Sequence, residues 1–215
     1  MSDSATSSSC SSTRLTNSFD ASIRDDGRTL KYGQQRDEYM AENIEWILIH
    51  QNEDSIAIWA ANGHLRKGND RHDDYPGKGP LGYHLDKTSG LEYCAFALEF
   101  GTGAVRSLDV SEGVSFPAQS VESPPDETLH ATLMDTCESP GFLDVHSATT
   151  DEALTAWLTD CRVHLVGPGY NSDLRTGFEQ EYRIDFAREF DGLFFIPQVS
   201  PTKLLPSLTD AAANQ

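Results

Sequence analysis

The sequence predicts an α/β protein built on a partly parallel sheet flanked by helices. Three observations carry that expectation. Helix-period and strand-like segments interleave from residue 35 onward instead of segregating. The run Ser55-Ile-Ala-Ile-Trp-Ala60 is continuously apolar, as a strand covered on both faces is. At 215 residues the chain suits one such domain and is short for two.

Each element follows from its local pattern. Residues 1–33 are rich in Ser, Thr and Asp and keep no hydrophobic period, so they are expected to be disordered. The folded body is expected at 34–206, with a flexible tail at 207–215. Arg36 to His50 sets Met40, Ile44, Ile47 and Leu48 on one helical stripe, which Asn52, Glu53 and Asp54 end. The apolar strand 55–60 comes next. Gly79-Pro80 then opens a short helix through Lys87, with Pro80 in the first turn, where its missing N–H costs nothing. Glu92 to Phe100 alternates as a strand, with Tyr93, Ala95 and Ala97 on one side and Phe96, Leu98 and Phe100 on the other. Gly101-Thr-Gly103 is expected to turn the chain, and Val105 to Val110 to return antiparallel.

Residues 111–125 read as a Ser/Pro/Glu loop, and Pro125 to Thr136 as a helix carrying Leu129, Leu133 and Met134. Phe142 to Val145 is a short strand. Thr150-Asp-Glu-Ala153 opens a helix with Leu154, Trp157 and Leu158 on its apolar stripe and acidic residues in its first turn. Arg162 to Val166 is a further strand, followed by a loop over 167–172. Leu193-Phe-Phe-Ile196 is the last strand, which Pro197 is expected to end.

Composition excludes several classes. Sixteen Lys and Arg stand against 34 Asp and Glu, a formal charge of −18, which argues against nucleic-acid or anionic-membrane binding. Lys is scarce (5, against 11 Arg), and Asp (20) exceeds Glu (14). Self-repulsion of that size is relieved by molar salt, so a halophilic cytoplasm is the expected setting. No apolar run reaches the roughly 18 residues of a membrane span. Met1 to Ser12 lacks the apolar core of a secretory signal. Four cysteines, Cys10, Cys94, Cys137 and Cys161, form no CxxC pair and spell neither a zinc nor a thioredoxin-type site. Cys94 lies in an apolar run and is expected to be a small buried hydrophobe.

Among motifs, there is no GxSxG, HExxH or Walker A sequence. The loop Asn69-Asp-Arg-His-Asp-Asp74 clusters His72 with aspartates, which in so acidic a chain reads as a solvated loop; no metal site is expected. The segment Trp59-Ala-Ala-Asn-Gly-His64 carries more. It leaves the expected apolar strand and enters a polar loop, the place where α/β proteins bind ligands. A His there is suited to moving protons near neutral pH.

Arg36-Asp-Glu-Tyr-Met-Ala-Glu-Asn43, then Trp46, then Trp59-Ala-Ala-Asn-Gly-His64, resembles the erythromycin esterase family, with its RDxxMAEN helix and following WAHNxH motif. Leu81-Gly-x-x-Leu85, the strand through Phe96, and Phe190-Asp-Gly-Leu-Phe-Phe-Ile196 with Pro201 continue the likeness, over roughly residues 34–205. Ala61 stands where the family has its first His of the WAHNxH motif. The family's members are about twice this long, so the resemblance implies an incomplete C-terminal half of an erythromycin-esterase-like fold. It also implies hydrolysis of an ester or lactone, a macrolide among the candidates, without a cofactor, but by a chain expected to be inactive alone, because the family's other catalytic His and Glu lie in a half with no counterpart here. His64 and Asn62 are then the expected catalytic residues, the Asn62 amide orienting the ring, and Arg36 and Arg66 the expected substrate-binding ones. Arg36 and Glu42, six apart, lie well around the helix from each other, which gives a structural role as the alternative for both. The expected partner is a separately encoded N-terminal half or a second copy. The alternatives are a non-catalytic remnant or binding module of the same fold, and a polysaccharide-biosynthesis accessory protein.

Overall fold

The Arg36–His50 stripe forms a helix, and a longer one than its apolar residues require: α1 spans Thr29–Gln51. The computed structural model describes residues 29–51, 54–68, 79–88, 90–109, 115–167, 170 and 180–204. Their contacts divide into two units. One takes its described residues from 29–97, 144–146 and 187–192, the other from 98–143, 147–186 and 193–204.

The first unit is mainly helical. Helix α2 is the single turn Asn62–Leu65, and α3 spans Leu81–Lys87 with Pro80 immediately before it, as expected. Ala41 of α1 packs with Leu81 and Leu85 of α3, and Met40, Ile44, Ile58, Leu91 and Tyr93 close around them. The Thr88 hydroxyl donates to Glu45 at 2.6 Å and pins the far end of α3 to α1. Trp46, Ile47 and Ile49 stay exposed, so the stripe that packs is narrower than the one the residue types mark out.

The run 55–60 is a correction. It forms no strand: among the described residues it has no ladder partner, and only Ile58 reaches the apolar cluster. Ile56 is exposed and Trp59 is 88% exposed. Continuous apolar character implies a strand only where neighbouring strands satisfy its backbone.

The sheet belongs mainly to the second unit. Strands β1 (Phe96–Arg106), β2 (Ala118–Val121), β3 (Gly141–Asp144) and β6 (Gly192–Val199) form one sheet in the order β2-β1-β6-β3. It is a mixed sheet that includes a parallel pair and is flanked by helices, and β1 with β2 is antiparallel from Gly103 opposite Val121 to Arg106 opposite Ala118. Strands β4 (Cys161–Leu165) and β5 (Gln180–Ile184) pair antiparallel in a second, two-stranded sheet. Strand β2 lies inside the stretch expected to be loop.

Two expected interruptions are absent, and for the glycines the reason is steric. Strand β1 continues through Gly101-Thr-Gly103, and β6 continues through Pro197. A Cβ on Gly101 would overlap Met134 Sδ and come within 2.7 Å of the Pro197 carbonyl oxygen. One on Gly103, whose φ is +125°, would overlap the Val199 carbonyl oxygen. These glycines are strand positions where another backbone approaches closely, a recognised use of glycine in sheets.

Helices α4 and α6 of this unit start on side-chain caps. Helix α4 spans Leu129–Thr136, and the Thr128 hydroxyl accepts from the Ala131 N–H. Helix α5 is the turn Val145–Ala148, and α6 spans Glu152–Thr159. The Asp151 carboxylate accepts from the N–H groups of Ala153 and Leu154. Helix α7 is the turn Phe186–Glu189 in chain order before β6. A polar brace joins α4, β1 and β4: His130 Nε2 lies 2.9 Å from Glu99, and the His164 backbone N–H donates to His130 Nδ1. Because Nδ1 accepts, the proton sits on Nε2.

The cysteine expectation is also corrected. Cys94 is exposed, and Cys161 is the buried one. The Cys161 thiol donates to the Trp157 carbonyl, and burial pushes it up to about 12, so it stays an unreactive thiol.

Candidate active site

His64 occupies the α2 turn just after extended Ala61, and four contacts within the first unit hold that turn. Gly82 of α3 is one: a Cβ there would overlap the Leu65 carbonyl oxygen, so only glycine lets α3 sit against this backbone. The Tyr93 hydroxyl donates to the same Leu65 carbonyl at 2.6 Å. Burial, then the charges of Asp191 and Asp86, raise the Tyr93 pKa well above its ordinary value and keep the hydroxyl a donor.

The remaining two contacts come from the residues before β6. Glu189, 1% exposed, accepts from Arg66 Nη1 at 3.1 Å and from the Gly68 N–H at 2.9 Å, while its carbonyl accepts from the Lys67 N–H. The Asp191 carboxylate meets Lys67 Nζ at 2.7 Å and accepts from the Ala95 N–H at 2.6 Å. A buried ion pair persists when further hydrogen bonds satisfy its oxygens, as both Glu189 oxygens are here. The polar segment 66–68 is thus clamped to residues more than a hundred positions away.

Within this frame the imidazole of His64 is held at both nitrogens. Nδ1 lies 2.9 Å from Asp37 Oδ2, and Nε2 lies 2.8 Å from Arg36 Nη2. A guanidinium only donates and a carboxylate only accepts, so the proton is on Nδ1 and the lone pair on Nε2. The tautomer follows from the partners alone. The Asp37 side chain is 9% exposed, and its Oδ1 has no hydrogen-bond partner; Arg36 Nε is 3.7 Å from it. Arg36 is half exposed and His64 one-third. The arrangement is a neutral base, oriented by a buried carboxylate, with a cation at its basic nitrogen. With Nε2 free of Arg36, such a group can take a proton from water, and the adjacent cation can stabilise charge developing on oxygen.

The sequence expectations fare unequally in position. His64 and Arg36 come together. Asn62 stands at the start of α2, but Asp37 and Arg36 occupy both ring nitrogens, so the orienting role expected of the Asn62 amide falls to Asp37. Arg66 is displaced from the expected role: its side chain is 8% exposed and committed to Glu189. Asp37 was missed. The signal available was a charged residue four positions before Ala41 on the stripe that packs. Among the described residues no three His, Cys, Asp or Glu side chains converge as a metal site, and no helix is long and apolar enough to cross a membrane. The loop 69–74 lies outside the described residues.

Comparison of the fold with solved structures finds three informative likenesses. A Bacillus cereus protein matches with a TM-score of 0.67 at 21% identity, over 85% of this chain and 42% of that one. A succinoglycan biosynthesis protein matches at 0.62 and 14% identity, over 87% and 42%. Erythromycin esterase EreC, as a mutant in its open conformation, matches at 0.57 and 15% identity, over 90% and 43%. The chain therefore spans less than half the length of each. Comparison with curated proteins finds no match. The family model for erythromycin esterase matches residues 5–199, beginning within the Ser-rich segment that the motifs leave out, and the chain belongs to the erythromycin esterase family.

Proposed function

We propose that this chain carries the base of an ester- or lactone-hydrolysing site. His64 Nε2 takes a proton from a water whose oxygen attacks the carbonyl carbon. Asp37 holds the Nδ1 proton and stabilises the imidazolium that forms. Arg36, the cation within reach, balances the charge on the carbonyl oxygen until the C–O bond breaks and the imidazolium returns its proton to the leaving alkoxide. The observation that supports this most is the double fixing of His64, by Asp37 at 2.9 Å and Arg36 at 2.8 Å. In this tautomer the ring cannot donate from Nε2, so it serves as base and not as carbonyl polariser. Asn62 lines the α2 turn without orienting the ring, and Arg66 positions the following segment through Glu189.

A macrolide lactone is one substrate to try, because EreC is by name an erythromycin esterase. The succinoglycan biosynthesis protein shares the fold at similar similarity, so simple esters belong in the same panel. Hydrolysis of a chromogenic ester and of a macrolide is to be followed in molar salt for wild type and His64→Ala. A positioned base supplies about 10² to 10⁴ in rate. A loss of that order in His64→Ala is expected, and equal rates in the two proteins overturn the reading.

A second reading, a binding module without the chemistry, is favoured by one observation: Arg36 covers the basic nitrogen. It predicts that the macrolide binds wild type and is never turned over. Under both readings the partner we infer is a polypeptide carrying the part of the family fold that this chain does not span, docking where Trp59 is 88% exposed.

A further inference from the structure

We infer that Arg36 is a latch on His64, displaced from Nε2 when a carboxylate oxygen arrives to take the guanidinium. This rests on the reading of His64 as base and adds the means by which the base is uncovered. The resting geometry is self-blocking: the one lone pair of the neutral ring points at Arg36 Nη2, 2.8 Å away, and water has no access to it along that line. The other nitrogen is unavailable, since it carries the proton and donates it to Asp37 Oδ2. A base in this state accepts nothing until Arg36 moves.

Three features make Arg36 the part that moves. It is half exposed, whereas the Asp37 side chain is 9% exposed and fixed on the packed face of α1. Its partner on the ring is a neutral nitrogen, and a carboxylate is a stronger acceptor that engages two guanidinium N–H groups at once. The departure of Arg36 leaves no donor unpaired, because the guanidinium carries its bonds to the new oxygen. The ligand class also follows from the proposed reaction. Ester hydrolysis develops negative charge on the acyl oxygen and ends in a carboxylate, so the acyl group passes through states that compete with the ring for Arg36. Asp37 Oδ1, buried without a hydrogen bond and 3.7 Å from Arg36 Nε, keeps the guanidinium's charge near the site while it exchanges partners.

The test measures access to Nε2 and needs no turnover. Diethylpyrocarbonate acylates a bare imidazole nitrogen: a bond forms from Nε2 to its carbonyl carbon, and ethyl carbonate leaves with the Nδ1 proton and decays to carbon dioxide and ethanol. The rate at His64 is read by peptide mass mapping at pH 7 and constant ionic strength, for wild type and Arg36→Met, with chloride or acetate as the anion. The latch predicts slow modification of wild type in chloride and acceleration of severalfold in acetate. It predicts modification of Arg36→Met about tenfold faster than wild type, as expected for loss of one charge-assisted contact, and indifferent to acetate. Equal rates for the two proteins overturn it, as does a wild-type rate that acetate leaves unchanged. The acetate arm uses the wild-type protein, so it decides the matter even if Arg36→Met folds poorly. An intact latch in a protein without esterase activity faults the hydrolase reading alone, and an active enzyme without anion-dependent access faults the latch alone.

Discussion

The chemistry of His64 is decided by what its two neighbours are able to do: one can only accept and the other can only donate. Asp37→Asn tests that logic. The amide oxygen still accepts from Nδ1–H, though more weakly, and it no longer carries the charge that stabilises an imidazolium. Relief of a buried carboxylate with one unpartnered oxygen keeps the stability change within about 1 kcal/mol. Ester hydrolysis is expected to fall by at least about tenfold, against an unchanged urea midpoint. A fall in both together makes Asp37 a folding residue and removes it from the site. Although nothing in the motif separates a substrate-facing Arg36 from a structural one, His64 and Arg36 were singled out because each stands in a short motif whose spacing is kept. Asp37 was not, because an Asp beside an Arg on a helix reads as a solvated pair, and only burial separates the two. Arg66 was misread for a related reason. Its partner Glu189 is 123 residues away, and nothing local distinguishes a paired guanidinium from one awaiting a ligand.

Elements were legible where their own residues specify them and illegible where a neighbour does. Helices α3 and α6 begin where Pro80 and Asp151 stop the preceding chain, which are local signals, whereas the helix expected from Pro125 begins only at Leu129, after the Thr128 cap. The run 55–60 and the Gly101–Gly103 stretch depend instead on which backbone lies alongside, and there the sequence pattern pointed the wrong way. Gly82 and Gly63 make the same distinction measurable. A Cβ on Gly82 collides with the fixed Leu65 carbonyl, whereas one on Gly63, in the α2 turn itself, meets nothing within 4 Å. Gly82→Ala is therefore expected to destabilise the protein by about 1 to 3 kcal/mol and to slow hydrolysis through the displaced turn. Gly63→Ala is expected to be neutral or stabilising by up to about 1 kcal/mol, since it only restricts the unfolded chain. Urea denaturation of both variants checks the contrast, and equal destabilisation would contradict the close packing of α3 on the turn.

At the scale of the whole chain, a charge of −18 meets a lean apolar content of 38%, and the two set opposite salt dependences for stability and for association. Repulsion among surplus carboxylates acts over about 10 Å in 0.1 M salt and about 3 Å in 1 M salt. The folded chain holds those charges closer together than the unfolded one, so screening favours the folded state. The thermal midpoint is expected to rise steadily from 0.1 to 2 M KCl and to rise equally in NaCl, as screening without specific ion binding requires. Association is opposed at low salt by the same repulsion and driven at all salt concentrations by apolar surface, of which Trp59 is the most exposed large residue among the described ones. Raising salt should therefore turn a 23.7 kDa species into a larger one, with a blue shift in tryptophan emission that Trp59→Ser abolishes. Light scattering and fluorescence on the same samples separate the two effects. A midpoint that climbs while the mass stays at one chain and the emission stays unshifted keeps the screening argument and removes Trp59 as a docking residue for a second copy. That outcome leaves the polypeptide carrying the rest of the family fold as the partner to add back, with the same emission shift as the readout. An emission that its addition leaves unmoved ends the docking argument altogether.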